Sequence, residues 1–287
     1  MRVLITGAAG VLGQLVTQLV AAEGHDLLLT DLVAAPEGSP HPFVAADLSN
    51  DEQTTGLCDG IDQVLHIAAI HPWKQYTSQQ YLDLNIKGTH NLAAEAARAG
   101  VQRLIYTSSV SAHGYNVAPD APLPWDETVP CRPTDSLYSI TKHVGEQFCR
   151  MYQQTAGLKW LALRPGGFSP RPEADPAFGF GLLNFAVHRT DVAMAHLLAL
   201  RSSAVNEPII ITAGTTFTHD DSAQLLWNAA PLILRDFPQA QALVDAGIAL
   251  PDRIGACHSI EHARKVLGYT PHWTFGSWLE RWIASNA

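Results

Sequence analysis

A tyrosine stands four residues ahead of a lysine in Tyr138-Ser139-Ile140-Thr141-Lys142, downstream of a serine pair, Ser108-Ser109, and of an N-terminal glycine turn. On a helix that spacing places the phenol and the ammonium on one face, a turn apart. Free tyrosine ionises near ~10, so it serves as a base near neutrality only beside positive charge. Lys142 supplies such a charge, and a serine of the upstream pair can hold a carbonyl or alcohol oxygen against the phenol. The chemistry these residue types suit is proton transfer at an oxygen bonded to carbon.

The glycine turn, Gly7-Ala8-Ala9-Gly10-Val11-Leu12-Gly13, follows the apolar run Val3–Thr6 and opens a helical stretch. Glycine lets a backbone approach a pyrophosphate closely, and a helix start offers unpaired N–H groups and the positive end of its dipole. Gly7, Gly10, Val11, Leu12 and Gly13 are therefore candidate cofactor contacts. Asp31 closes the second strand, 18 residues past Gly13, where an acidic side chain accepts hydrogen bonds from ribose hydroxyls. No Lys or Arg occurs between Arg2 and Lys74, so nothing there would neutralise a 2′-phosphate, and the pattern selects NAD. A nicotinamide cation would then be the second positive charge beside Tyr138. Asp47 and Leu48, closing the third strand, are placed to reach the adenine.

Six short apolar runs must position these residues: Val3–Thr6, Asp26–Thr30, Phe43–Ala46, Gln63–Ile67, Leu104–Thr107 and Trp160–Leu163. Their near-continuous apolarity fits strands covered on both faces, as in a parallel sheet. Helical stretches at Val11–Ala22, Tyr81–Ala99 and Ser136–Thr155 alternate with them in the manner of βαβ units. The expected fold is α/β, a doubly wound parallel-sheet Rossmann fold with a small, discontinuous C-terminal substrate-binding lobe. The expected division is 1–165 for the NAD-binding core and 166–287 mainly for the lobe. Beyond Arg164 come Pro- and Gly-rich loops over Pro165–Gly181 and a helix near Thr190–Arg201, with a strand near 208–212 returning to the core sheet.

Composition narrows the function classes. The 287 residues are 47% hydrophobic with a formal net charge of -9 and no basic runs, which argues against nucleic acid or an anionic membrane surface as partner. No apolar run approaches the roughly 18 residues of a membrane span and no signal-like leader precedes the first strand, so a cytoplasmic location is expected. Cys58, Cys131, Cys149 and Cys257 are scattered without metal-ligand spacing and read as free buried thiols, with no metal expected. Trp227, Trp273, Trp278 and Trp282 read as packing residues of the lobe.

These motifs together resemble the extended short-chain dehydrogenases/reductases, the NAD-dependent epimerase/dehydratase family. The resemblance rests on Thr6–Gly13, His66-Ile67-Ala68-Ala69, Asn85–Thr89, Thr107-Ser108-Ser109, Tyr138–Lys142, Leu163-Arg164-Pro165, Val187–Ala193 and the closing Leu267-Gly268-Tyr269-Thr270-Pro271. It implies Ser109 as the polarising hydroxyl with Ser108 as competitor, Tyr138 as acid/base, and Lys142 as its activator and ribose anchor. It also implies that His66, Ala68, Asn85 and Pro165 lie along the cofactor, with a packed, hydrogen-bonded core histidine as the equal alternative for His66. A homodimer follows from it too, formed by the helices at Tyr81–Ala99 and Tyr138, whose Ala93, Ala94, Ala96 and Ala97 permit close approach.

The sequence departs from the family pattern where substrate is held. The run Leu163-Arg164-Pro165-Gly166-Gly167-Phe168-Ser169-Pro170 is one residue shorter than in nucleotide-sugar enzymes and lacks their Asn, and Ala112-His113-Gly114 replaces Val-Tyr-Gly. His71, Trp73, Lys74, His113, Phe168 and Arg189 are the candidate pocket residues, alongside Ser109. The preferred reading is an NAD-dependent oxidoreductase acting on the secondary alcohol or ketone of a free sugar, sugar acid or similar small substrate. The alternatives are a nucleotide-sugar epimerase or dehydratase with tightly held NAD, and a non-catalytic NAD-sensing protein.

Overall fold

The computed structural model describes residues 1–35, 38–114, 121–168 and 171–286. Its centre is a seven-stranded sheet: β1 Arg2–Thr6, β2 Asp26–Asp31, β3 Phe43–Ala45, β4 Gln63–His66, β5 Arg103–Thr107, β6 Lys159–Pro165 and β7 Glu207–Ile211, in the order β3-β2-β1-β4-β5-β6-β7. The pairings from β3 through β6 are parallel. Val3, Leu4 and Ile5 of β1, like Leu104 and Ile105 of β5, have no exposed surface, because helices cover both faces. β3 is the exception. It is an edge strand of three residues, none of them buried, and it stops one residue short of the expected Ala46.

Helices α1 Val11–Ala22, α2 Asp51–Thr54, α3 Ser78–Gln80, α4 Gly88–Arg98 and α5 Leu137–Ala156 join these strands. The single helix expected over Tyr81–Ala99 is instead α3, a π-helical stretch Tyr81–Lys87, and α4. Asn85 sits in the π-helical stretch, and such windings recur where a side chain is turned toward a function. Ser136 caps α5 by accepting from the Ser139 amide, and Gly157 ends it in the left-handed region, so both helix limits are written locally.

The chain forms two compact units, and neither is one continuous stretch. The first comprises Met1–Val117, Cys131–Arg164 and Ala193–Ile209. The second comprises Ala118–Pro130, Pro165–Val192 and Ile210–Ala287. Within the second unit lie helix α6, Pro176–Leu183, and the start of α7, Arg189–Arg201. There Trp278 is buried against Phe180 and Phe275 and donates its indole N–H to the Glu173 carbonyl at 2.7 Å, as expected of a packing residue. Trp227 does not pack, since 84% of it is exposed. The closing motif is structural: Gly268 ends a helix with φ +67°, and buried Tyr269 donates to the Thr212 carbonyl at 3.0 Å.

Candidate active site

β1 delivers the chain into the glycine turn, where Gly7 takes φ +69° and a Cβ on it would lie 2.7 Å from the Ala68 amide nitrogen. The carboxyl ends of β1 and β4 touch there, at the point where strand order reverses and ligands collect in doubly wound sheets. A Cβ on Gly13 would fall 2.1 Å from the Gly7 carbonyl oxygen, so α1 packs directly onto the turn. Gly10 is the N-cap and brings no side chain to the first-turn amides, which leaves them to a ligand. Asp31 is partly exposed beside this turn, and its carboxylate accepts from the Ala9 amide at 3.0 Å and the Val33 amide at 3.4 Å. A cradle without room for a Cβ, an uncapped helix start and a neighbouring carboxylate suit a dinucleotide.

The other expected cofactor residues divide. Val11 is 61% exposed at the helix start, whereas Leu12 turns into the core and leaves only its backbone to the turn. Asp47 holds its own turn by accepting from the amide and hydroxyl of Ser49 at 2.9 and 2.7 Å. Leu48 belongs to the core, packed against Gly88 at the start of α4. Ala68 donates its amide to the Thr6 hydroxyl at 3.2 Å, and Pro165 is the buried last residue of β6.

For His66 the core alternative is the one the side-chain contacts favour. Its ring meets the Thr6 hydroxyl at 2.8 Å and the Thr89 hydroxyl at 3.0 Å, so both nitrogens are spent inside the core. Burial first, then the Lys142 charge, depresses its pKa to about 3, and the ring is neutral. Asn85 is likewise committed. It clasps both the N–H and the C=O of Ile70, at 2.9 and 3.1 Å, and donates to Thr141 at 3.2 Å, tying the loop after β4 to α5.

The end of β5 and the first turns of α5 carry the residues expected to transfer a proton. Lys142 is fully buried, donates to the Thr107 carbonyl at 2.8 Å, and lies 5.8 Å from the centre of the Tyr138 ring and 5.2 Å from that of Tyr106. Burial lowers its pKa to about 7, against the opposing pull of Glu146. Tyr138 keeps part of its surface exposed, and its ring lies 5.7 Å from that of His71. His71 in turn neighbours Trp73 at 6.4 Å, and both are exposed.

The two serines are sorted by their partners. Ser108 gives its hydroxyl proton to the buried Glu146 carboxylate at 2.6 Å, which removes it as a competitor. Ser109 caps the 3-10 turn Val110–His113 by accepting from Ser111, and it retains 9% of its exposure.

His113 is a correction. It has no exposed surface, and its Nε2 meets Arg164 Nη1 at 2.7 Å. Arginine has no acceptor, so this nitrogen accepts and cannot greet a substrate. Phe168 and Arg189 belong to the second unit, where Arg189 opens α7 with its side chain exposed. The neighbouring Asp191 is buried and accepts from the His272 and Trp273 amides at 3.0 Å each, giving the Val187–Ala193 motif a structural task. Ser169 and Pro170, which carry the shortened end of the expected loop, lie outside the described residues.

Sequence reasoning missed Glu146 and Ser111 and gave Arg164 no role. Arg164 and Glu146 form a buried ion pair, through Nε–Oε1 at 2.9 Å and Nη2–Oε2 at 2.8 Å. Glu146 extends the four-residue spacing of Tyr138 and Lys142 by one more turn, which was a legible signal. Among the described residues Cys131, His143 and Glu146 bring potential ligand atoms within 4.8 Å of one another. Arg164 already contacts both Glu146 and, at 3.1 Å, the Cys131 sulfur, so a metal cation there would face a guanidinium.

The chain is 30% identical over 174 residues to a uronate dehydrogenase of Pseudomonas syringae pv. tomato, covering 60% of this chain and 61% of that protein. It is 32% identical over 177 residues to an L-arabinose 1-dehydrogenase (NAD(P)(+)) of Haloferax volcanii, covering 58% and 66%. These matches thus span about two-thirds or less of the relatives' length. In fold it resembles a short-chain dehydrogenase/reductase superfamily protein of Agrobacterium tumefaciens with bound NAD, at TM-score 0.75 and 22% identity over 100% of this chain and 97% of that one. The family model described as "NAD dependent epimerase/dehydratase family" matches residues 3–176, and with that the chain belongs to the NAD-dependent epimerase/dehydratase family.

Proposed function

We propose that this protein is an NAD-dependent dehydrogenase that oxidises a secondary alcohol, or reduces the matching ketone, on a small polar substrate such as a free sugar or sugar acid. The observation that carries the reading is the buried Lys142 ammonium 5.8 Å from the Tyr138 ring, with Ser109 two residues beyond the strand whose Thr107 carbonyl Lys142 holds. The uronate and L-arabinose dehydrogenases among its relatives support the substrate class. The glycine turn and Asp31 hold the dinucleotide, and the chemistry NAD supplies when bound is acceptance or return of a hydride at the nicotinamide. Tyr138, as phenolate, takes the hydroxyl proton of the alcohol while the carbinol hydrogen leaves as hydride, and the carbon–oxygen bond becomes a carbonyl. Lys142 lowers the cost of the phenolate through its charge. Ser109 holds the reacting oxygen. The same reading includes a homodimer formed by the outward face of α5.

A panel of free sugars, sugar acids and nucleotide-sugars, scored by NADH absorbance, tests this. Saturable NADH production from a free sugar or sugar acid is expected. Turnover of a nucleotide-sugar without NADH accumulation, and silence on every free sugar, would reject it in favour of an epimerase. Tyr138→Phe removes the proton-transferring hydroxyl and leaves the nucleotide cradle intact. Turnover should fall at least ~10²-fold with unchanged NAD affinity by calorimetry.

A further inference from the structure

We propose that Ser111 is a positioning residue that fixes Ser109 as an obligate hydrogen-bond donor to the reacting oxygen; this deepens the dehydrogenase reading and rests on it. Ser109 has extended backbone, with φ −163° and ψ 152°, and caps the turn that begins at Val110. Its Oγ accepts twice from one residue, from the Ser111 amide at 3.2 Å and from the Ser111 hydroxyl at 2.8 Å. A serine oxygen has two acceptor lone pairs and one proton to give. With both lone pairs engaged, the proton is the one polar function Ser109 retains. Ser111 is 2% exposed and Ser109 9%, so bulk water has little access to compete for this arrangement.

Adjacent serines thereby acquire opposite tasks. Ser108 sends its proton inward to Glu146, whereas Ser109 keeps its proton for a ligand. Ser109 so oriented cannot take a proton from an alcohol, which leaves that role to Tyr138. It can stabilise an oxygen on which negative charge grows, as an alkoxide-like oxygen does when hydride departs. Accepting a hydroxyl bond from Ser111 also polarises the Ser109 O–H and strengthens it as a donor. Ser111 acts only through Ser109, so its contribution belongs in turnover rather than in cofactor binding.

The test uses a pair of near-isosteric variants, Ser111→Thr and Ser111→Val, which share any steric disturbance and differ in the hydroxyl. Ser111→Thr should turn over at least about fivefold faster than Ser111→Val, with the difference in kcat and with matched KM and NAD affinity; losing an oxyanion donor outright costs about 10²–10³-fold, and losing its support costs less. Equal kcat in the two variants, whether high or low, would overturn the proposal. A second measurement needs no substrate. Neutron diffraction from deuterium-exchanged crystals of the wild-type protein should place the Ser111 deuterium on the line to Ser109 Oγ and the Ser109 deuterium pointing elsewhere. A Ser109 deuterium directed at Ser111 would overturn the proposal, whatever the substrate panel returns. Failure of the panel with the expected deuterium positions would count against the dehydrogenase reading alone.

Discussion

The ammonium of Lys142 is held where solvation is weakest and where its charge is most useful to a phenol. Its folded pKa of about 7 lies below that of a free lysine, so between those values the unfolded chain binds the extra proton and stability rises with pH. Below pH ~7 the full cost of burying the charge is present. Lys142→Met should therefore raise Tm relative to wild type most at pH 6, with the gain shrinking as pH climbs toward 10. Thermal melts across that range check this, and a gain that grows with pH would contradict it. Asp31 supports a second expectation. Its carboxylate stands at the glycine turn with no Lys or Arg in the sequence from Val3 to Trp73, so a 2′-phosphate would meet like charge. NAD should bind at least about tenfold more tightly than NADP, or ~1.4 kcal/mol, by calorimetry.

α5 and β5 must approach closely for Lys142 to reach the Thr107 carbonyl, and Gly145 is what allows it. A Cβ on Gly145 would sit 2.3 Å from the Tyr106 hydroxyl, which the buried tyrosine cannot readily vacate. Gly145→Ala should cost about 1–3 kcal/mol by overpacking and should also lower turnover, because it pushes away the helix that carries Tyr138 and Lys142. Denaturant melts and initial rates measure the two effects. The Arg164–Glu146 pair fixes the same juncture from below: Glu146 holds Ser108, and Arg164 holds His113 at the other end of the turn. Two such links bracket Ser109 in the sequence.

Association concerns the whole molecule. Of Ala93, Ala94, Ala96 and Ala97, chosen from sequence as a close-approach surface, Ala93 and Ala96 are fully buried in the chain's own core and Ala94 and Ala97 are half-buried, so the first two pack α4 within the chain and not against a second subunit. The stripe left outward on α5 runs through Ile140, His143, Gln147 and Met151, with Ile140 36% and Met151 37% exposed. On a homodimer reading that stripe is the contact, and light scattering should give twice 31.1 kDa at micromolar concentration. Ile140→Glu should then shift the mass to the monomer value. Wild-type protein that scatters as a monomer would rule the dimer out. No helix among the described residues is long and apolar enough to cross a membrane.

Elements whose signals are local were legible in the amino-acid order. The glycine turn, the parallel apolar strands, Asp31 at the end of β2 and the Tyr138–Lys142 spacing depend on neighbours within a turn or a strand, and the family followed from their order. Which polar side chains still had an atom to offer depended on contacts between residues far apart along the chain. His66 and His113 stood among the candidates for cofactor and substrate, yet Thr6 and Thr89 engage both nitrogens of His66 and Arg164 engages Nε2 of His113, from 60, 23 and 51 residues away along the chain. Ser108 and Ser109 were indistinguishable as neighbours until Glu146, 38 residues on, claimed one of them. Whether a hydrogen-bonding group serves the core or the ligand depends on what the fold brings within ~3 Å, and residue type and spacing along the chain do not encode that proximity.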